Sequence, residues 1–136
     1  MDNQTPSPHS HLGTEEIDLS IPARPEYVVV VRLVAAGIAG RLALSFDDVE
    51  DLKIAVGEAC TAAIVDGGEQ VRVQFEVAAE RLTIKVTHDR PRSAAAAAST
   101  EEHELGLLLM RCLMDDVRME SNGAQAITWM TKHLQR

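Results

Sequence analysis

An α+β two-layer sandwich, a mixed, mostly antiparallel sheet covered by three helices, is the fold that this chain of 136 residues predicts. Three observations lead there. Two segments with apolar residues at helical spacing follow one another in the first half, two pairs of alternating segments are each joined by a short turn, and a third helical segment separates the pairs. With a strand ahead of the first helix, the order is β-α-α-β-β-loop-α-β-β, without an internal repeat. The length suits one domain with a tail, which buries roughly two thirds of the surface its unfolded chain exposes. Aromatic residues are only 3 % of the chain, so Val, Leu, Ile and Ala must fill the core. The same scarcity argues against stacking of nucleic-acid bases on aromatic side chains.

The elements follow in order. Residues 1–14 (MDNQTPSPHSHLGT) are polar and rich in Ser and Pro, the composition of a disordered tail in which His9 and His11 are solvated rather than metal ligands; residues 15–136 form the domain. From Glu15 to Ala23, Ile17, Leu19 and Ile21 alternate with Asp18 and Ser20, a half-buried strand. Pro25 opens a helix whose stripe is Val28, Val31, Ala35, Ile38 and Leu42, with Arg32 and Arg41 off it, although four consecutive valines favour a strand locally. Ser45 or Asp47 caps a second helix to about Val65, with the stripe Val49, Leu52, Val56, Ala59 and Ala63, and Asp66-Gly67-Gly68 ends it. Val71, Val73, Phe75 and Val77, then Leu82, Ile84 and Val86, mark two strands joined through Ala78–Glu80. From His88 to His103 (HDRPRSAAAAASTEEH) no amphipathic face exists, so this is read as a mobile break. Ser99 and Glu102 form a capping box for a third helix from Glu104 to about Met114, and strands near 117–121 and 126–132 flank the turn Asn122-Gly123.

Charge and cysteine usage narrow the function. Thirteen Lys and Arg against 21 Asp and Glu leave a net charge of -8, which disfavours direct contact with nucleic acid and suits a partner with a basic surface. Cys60 and Cys112 lack metal-site spacing and read as two reduced, buried thiols in apolar helices. Neither a signal peptide nor an apolar run of membrane-spanning length is visible, so a cytoplasmic protein without membrane contact is expected.

Two separated segments carry a family resemblance. Asp51-Leu-Lys-Ile-Ala-Val-Gly-Glu58-Ala-Cys-Thr-Ala62-Ala-Ile64 resembles the first nucleotide-binding box of the GHKL (histidine kinase/Hsp90-like) ATPases, roughly D-x-x-x-A-V-x-E-A-x-x-N-A-I-x-H. Leu105-Gly106-Leu-Leu-Leu-Met-Arg111-Cys-Leu-Met114-Asp115-Asp116-Val117 looks like the G-L-x-L-M-R-x-L-M-D-E-V stretch of the RsbW/SpoIIAB-type anti-sigma kinases. The likeness spans about residues 15–134. It implies the GHKL fold, ATP with Mg²⁺ as cofactors, a homodimer, and as partners a sigma factor and a STAS-domain anti-anti-sigma protein.

Residue by residue, the implied chemistry is eroded. The resemblance makes Glu58 the general base toward a protein hydroxyl, while a solvated helix carboxylate is the plain alternative. Ala62 stands where an Asn supplies oxygen to Mg²⁺, and a methyl group ligates no metal. Asp66 replaces the box's closing His. The second box, D-x-G-x-G, gives its Asp to the adenine amino group; aligned on Leu-Thr-Ile-Lys-Val, it puts His88 at the Asp, with Arg90 and Arg92 at the glycines. Asp89 could substitute after a one-residue shift, but strand parity points it to the opposite face. Arg90 and Arg92 either close the loop to nucleotide or bind phosphate themselves. Gly106 precedes the third helix, whose first amides could receive a phosphate, while Glu104 in place of a second glycine sets a negative charge beside them. Arg32, on the first helix, matches an arginine that in the family contacts sigma factor and anti-anti-sigma factor.

The reading that follows is a binding module: an anti-sigma-factor-like regulator of transcription with weak or lost ATP binding. The alternative is an active ATP-dependent serine/threonine-protein kinase acting on a STAS-domain antagonist. A phosphatase-complex accessory protein, or a domain shed from a larger histidine kinase, fits less well.

Overall fold

The structure is a computed structural model that describes residues 14–90 and 100–134. It is a two-layer α/β sandwich: strands β1 (Glu15–Pro22), β2 (Gln70–Val77), β3 (Arg81–Asp89), β4 (Asp116–Ser121) and β5 (Gln125–His133), and helices α1 (Val28–Arg41), α2 (Phe46–Val65) and α3 (Thr100–Leu113). The sheet order is β1-β2-β3-β5-β4, and all four neighbouring pairs are antiparallel. The sheet is thus antiparallel throughout rather than mixed, because α3 leads to the far edge strand and β5 then folds back between β4 and β3.

Local chemistry explains most boundaries. A 3-10 turn, Pro25–Tyr27, with Pro at its start, leads into α1. The valines 28–31 are helical because only helical spacing puts Val28, Val31, Ala35 and Ile38 together in the core. Ser45 caps α2: its hydroxyl oxygen accepts from the Asp48 amide at 3.1 Å, while Asp47 and Asp48 sit in the first turn, where the helix dipole favours negative charge. After α2, Gly67 takes a left-handed φ of 89°. Gly68 lets the chain pass so close to β3 that a Cβ there would lie 2.6 Å from the Asp89 carbonyl oxygen. The Asn122-Gly123 turn closes with the Asn122 Oδ1 accepting from the Gln125 amide at 2.9 Å.

Strand parity sorts the sheet. Val71, Val73 and Phe75 on β2, Leu82, Ile84, Val86 and His88 on β3, and Met130 on β5 are buried under the helices. The outer face is polar, with Trp129 between Arg118, 4.4 Å from the ring centroid, and Lys85 at 5.9 Å. On β1 and β2 the Arg72 Nε donates to Asp18 at 3.0 Å, which holds the Asp18 carboxyl below its usual range. β1 is an edge strand, so its inward face is well covered only near Ile21, and Ile17 stays 40 % exposed.

Two further expectations are corrected. The interruption between His88 and His103 is shorter than expected, since β3 runs to Asp89 and α3 begins at Thr100. Cys112 is exposed, because it lies off the buried face of α3 that holds Met110; Cys60 is buried as expected. Ser99, Arg92, the five-alanine run and the first thirteen residues lie outside the described residues.

Phe75, fully buried at the centre of the sheet, dominates the core by volume. Phe75→Ala is expected to cost about 3–5 kcal/mol through lost burial and the cavity left behind, whereas Ser45→Ala, which removes only the α2 cap, costs about 1 kcal/mol. Urea unfolding followed by far-UV circular dichroism, at an unchanged m-value, measures both.

Candidate functional site

The C-terminal half of α2, the inner side of α3 and the ends of β3, β4 and β5 enclose a cavity of about 660 Å³, a size that suits a small-molecule ligand. Its walls are chiefly apolar, with Val65 from α2, Leu107 and Met110 from α3, and Met119 and Ile127 from the strands. Glu58 and Ala62, one helical turn apart on α2, both face it. Glu58 and Gly106 meet across the α2–α3 contact: a Cβ on Gly106 would lie 3.3 Å from the Glu58 Oε1. Glu104 and Glu120 also line the cavity, so with Asp66 four carboxylates share one lining, with Arg90 as the cation among them.

A buried polar network lies at the other end. Asp66, the C-cap of α2, and His88, at the inward end of β3, are each 8 % exposed. Their side chains meet with His88 Nε2 2.8 Å from Asp66 Oδ2. An ionised carboxylate only accepts, so Nε2 carries the proton. The Arg90 guanidinium closes on the same oxygen, Nε to Oδ2 at 3.3 Å. Arg90 is itself held by its Nη1 donating to the Ser121 hydroxyl at 3.2 Å and its amide donating to the Ala124 carbonyl at 2.8 Å. His88 Nδ1 and Arg90 Nε are both buried with no hydrogen-bond partner among the described residues, so the Arg90 contact to Asp66 is an ion pair without a hydrogen bond. Removing one member of such a buried, paired set strands the other charges and is strongly destabilising, about 3–5 kcal/mol.

The structure therefore brings Glu58, Ala62, His88, Arg90 and Gly106 to one cavity from three separate elements, α2, β3 and α3, with Arg90 the residue that follows β3. Asp89 is exposed on the opposite face of β3, as parity requires, and Arg92 lies outside the described residues. One expectation is corrected: Gly106 does not precede α3 but sits inside it, seven residues in, where its amide belongs to the helical ladder and is not free for a phosphate. What the residue reading missed is that the two departures it noted separately, Asp66 for His and His88 for Asp, are partners. The signal was their reciprocity, an acid and an imidazole exchanged between two positions.

Metal and nucleophile chemistry find little support here. Ala62 offers a methyl group at the expected ligand position, and among the described residues no group of three or more His, Cys, Asp or Glu is placed to hold a metal ion. The residues present thus do not fit Mg²⁺-ATP held in the manner that the first box implies. Cys60, behind α2, is no nucleophile either: burial pushes its thiol up to about 12, against a smaller downward pull from the Arg32 charge. Among the described residues, no helix is long and apolar enough to cross a membrane.

Comparison with known proteins places this geometry. The family model "Histidine kinase-like ATPase domain" matches residues 21–132. The chain is 39 % identical over 143 residues to "Serine-protein kinase RsbW" of Bacillus licheniformis, covering 91 % of this chain and 89 % of that one. It is 35 % identical over 141 residues to the protein of that name in Bacillus subtilis (strain 168), covering 90 % and 88 %. Among solved structures, "The crystal structure of the RsbU and RsbW domains of Rv1364c from Mycobacterium tuberculosis" matches with a TM-score of 0.71 at 15 % identity, covering 90 % of this chain and 33 % of that longer one, which shows the shared fold. The chain therefore belongs to the histidine kinase-like ATPase domain family and, within it, to the RsbW-type anti-sigma-factor branch whose curated relatives are named serine-protein kinases.

Proposed function

We propose that this protein is an anti-sigma-factor-like regulator that holds a sigma factor, a STAS-domain anti-anti-sigma protein or both, and controls transcription through that contact with weak or lost ATP binding. The observation that carries the reading is the state of the cavity. Asp66, His88 and Arg90 engage one another, His88 Nε2 on Asp66 Oδ2 and the Arg90 guanidinium beside the same oxygen, where the second box would present an acceptor to adenine. Ala62 and the carboxylates of Glu58, Glu104 and Glu120 line the cavity that a magnesium triphosphate would have to enter. Polyanions are repelled by such a lining unless a metal intervenes. The fold, by contrast, is kept whole, which fits a protein retained for its surface. The proposal extends to a cytoplasmic homodimer acting in a stress-response type of partner switch.

A second reading, an active kinase, draws on one observation: Glu58 is still on the cavity wall beside Gly106, where a general base toward a protein hydroxyl would sit. The relatives' name favours it as well.

Titration calorimetry with Mg-ATP decides between them. The dissociation constant is expected nearer millimolar than micromolar, a gap of about 4 kcal/mol; low-micromolar affinity would overturn the proposal. In the same assay, Ala62→Asn with Arg90→Gly and Arg92→Gly should strengthen binding, and so should the exchange Asp66→His with His88→Asp. If both variants fold normally and neither gains affinity, the assignment of these residues to a former nucleotide site is wrong.

Partner binding should outlive the chemistry. Arg32→Ala is expected to weaken a sigma-factor or STAS-protein complex through a slower association and an altered salt dependence, as for a rim arginine. Glu58→Ala should leave the complex nearly intact. Surface plasmon resonance at two salt concentrations checks both; loss of partner control with Glu58→Ala alone would favour the kinase.

A further inference from the structure

α2 carries a glycine in an unfavourable place. Gly57 lies in the middle of a 20-residue helix, buried, where Ala is the better helix former. No turn or positive φ requires it there. Its neighbour supplies the reason. A Cβ at position 57 would lie 2.6 Å from Arg32 Nη2, 2.8 Å from Nε and 3.1 Å from Cζ, so the whole guanidinium lies against the bare α2 backbone. Arg32 stems from α1, crosses the groove between the two helices and forms no ion pair among the described residues.

The surroundings of this cation are apolar and open. Val29 and Leu33 on α1 are 52 % and 66 % exposed, and Ile54, three residues before Gly57 on the same side of α2, is 45 % exposed. A fork of donors lying against the α2 backbone, with exposed aliphatic side chains on both helices and the Glu50–Lys53 pair one turn back on α2, matches a carboxylate carried between apolar side chains on a protein partner.

We infer that Gly57 is the seat of Arg32: by leaving out a side chain, it fixes the guanidinium in the α1–α2 groove as a pre-formed receptor for an acidic, apolar-flanked partner segment. This rests on the reading of Arg32 as a partner contact and adds what holds it there. Pre-organisation matters because an arginine free in solution samples many rotamers, and those must be frozen on binding.

The seat makes an unusual demand on its test, since Gly57→Ala should not damage the fold. Only the flexible end of Arg32 stands in the way of the new methyl, and it swings out; Ala meanwhile favours the helix, so Tm is expected to stay or rise. Two measurements follow. In the first, partner-free, the Arg32 Nε–H signal is assigned by its loss in Arg32→Ala, and its ¹⁵N relaxation is compared in the parent and in Gly57→Ala. Order in the parent and fast motion in the variant is the expected result; equal order in both overturns the seat. The second is a double-mutant cycle by surface plasmon resonance against the sigma factor and the STAS-domain proteins of the same genome, each purified singly. Gly57→Ala should weaken the complex roughly 3- to 10-fold, and should do nothing further in the Arg32→Ala background. A Gly57→Ala effect that persists without Arg32, or no effect while Arg32→Ala weakens binding, overturns the inference and leaves the contact standing. If Arg32→Ala changes no complex, the contact itself is refuted, while the relaxation result still decides the seat.

Discussion

The burial of α2 is the constraint on which the rest of this molecule depends. Its Leu52, Ala55, Val56, Ala59, Cys60 and Ala63 are all at most 3 % exposed, and they pack between the sheet, α1 and α3. Small side chains dominate this helix because three other surfaces must approach it closely, and a packed interior tolerates neither voids nor excess volume. Every functional candidate is referred to that helix. Glu58, Ala62 and Asp66 occupy one side of it, the cavity side, and Gly57 receives Arg32 on the way round.

The same burial sets the surroundings of the polar pair at the end of α2. Asp66 ends α2 and His88 ends β3, and the close pass at Gly68 brings the two ends together. A polar pair in that position must satisfy itself or be lost, because an unpaired buried charge is far more costly than a paired one. With the acid on the helix and the imidazole on the strand, the two meet at 2.8 Å, and the Arg90 charge stands beside the same carboxylate oxygen. An acceptor engaged in that way is no longer offered to a ligand.

Recognition in this reading moves to the groove between α1 and α2, where exposed aliphatic residues surround a single held cation. Such a surface places little weight on area and much on one oriented group, as interfaces with few dominant residues do. It also stands close to the cavity, so a partner seated on Arg32 would lie beside whatever the cavity holds.

Much of this was legible in the order of residues. Local patterns placed five strands, three helices and the Asn122-Gly123 turn and narrowed the α2 cap to Ser45 or Asp47, because these depend on side chains within a few positions of one another. Parity along β3 correctly turned His88 inward and Asp89 outward for the same reason. The gathering of Glu58, Ala62, His88, Arg90 and Gly106 was legible only through the family resemblance, since nothing local joins those positions. α3 starts at Thr100, where the Ser99–Glu102 capping box already suggested a helix N-terminus, and so takes Gly106 into its interior. Two matters were decided by tertiary structure alone. Asp66 and His88 meet 22 positions apart in the chain. Gly57 and Arg32 meet across two helices. Each is a contact between side chains brought together by the close packing of separate elements, and no periodicity of either element encodes its partner.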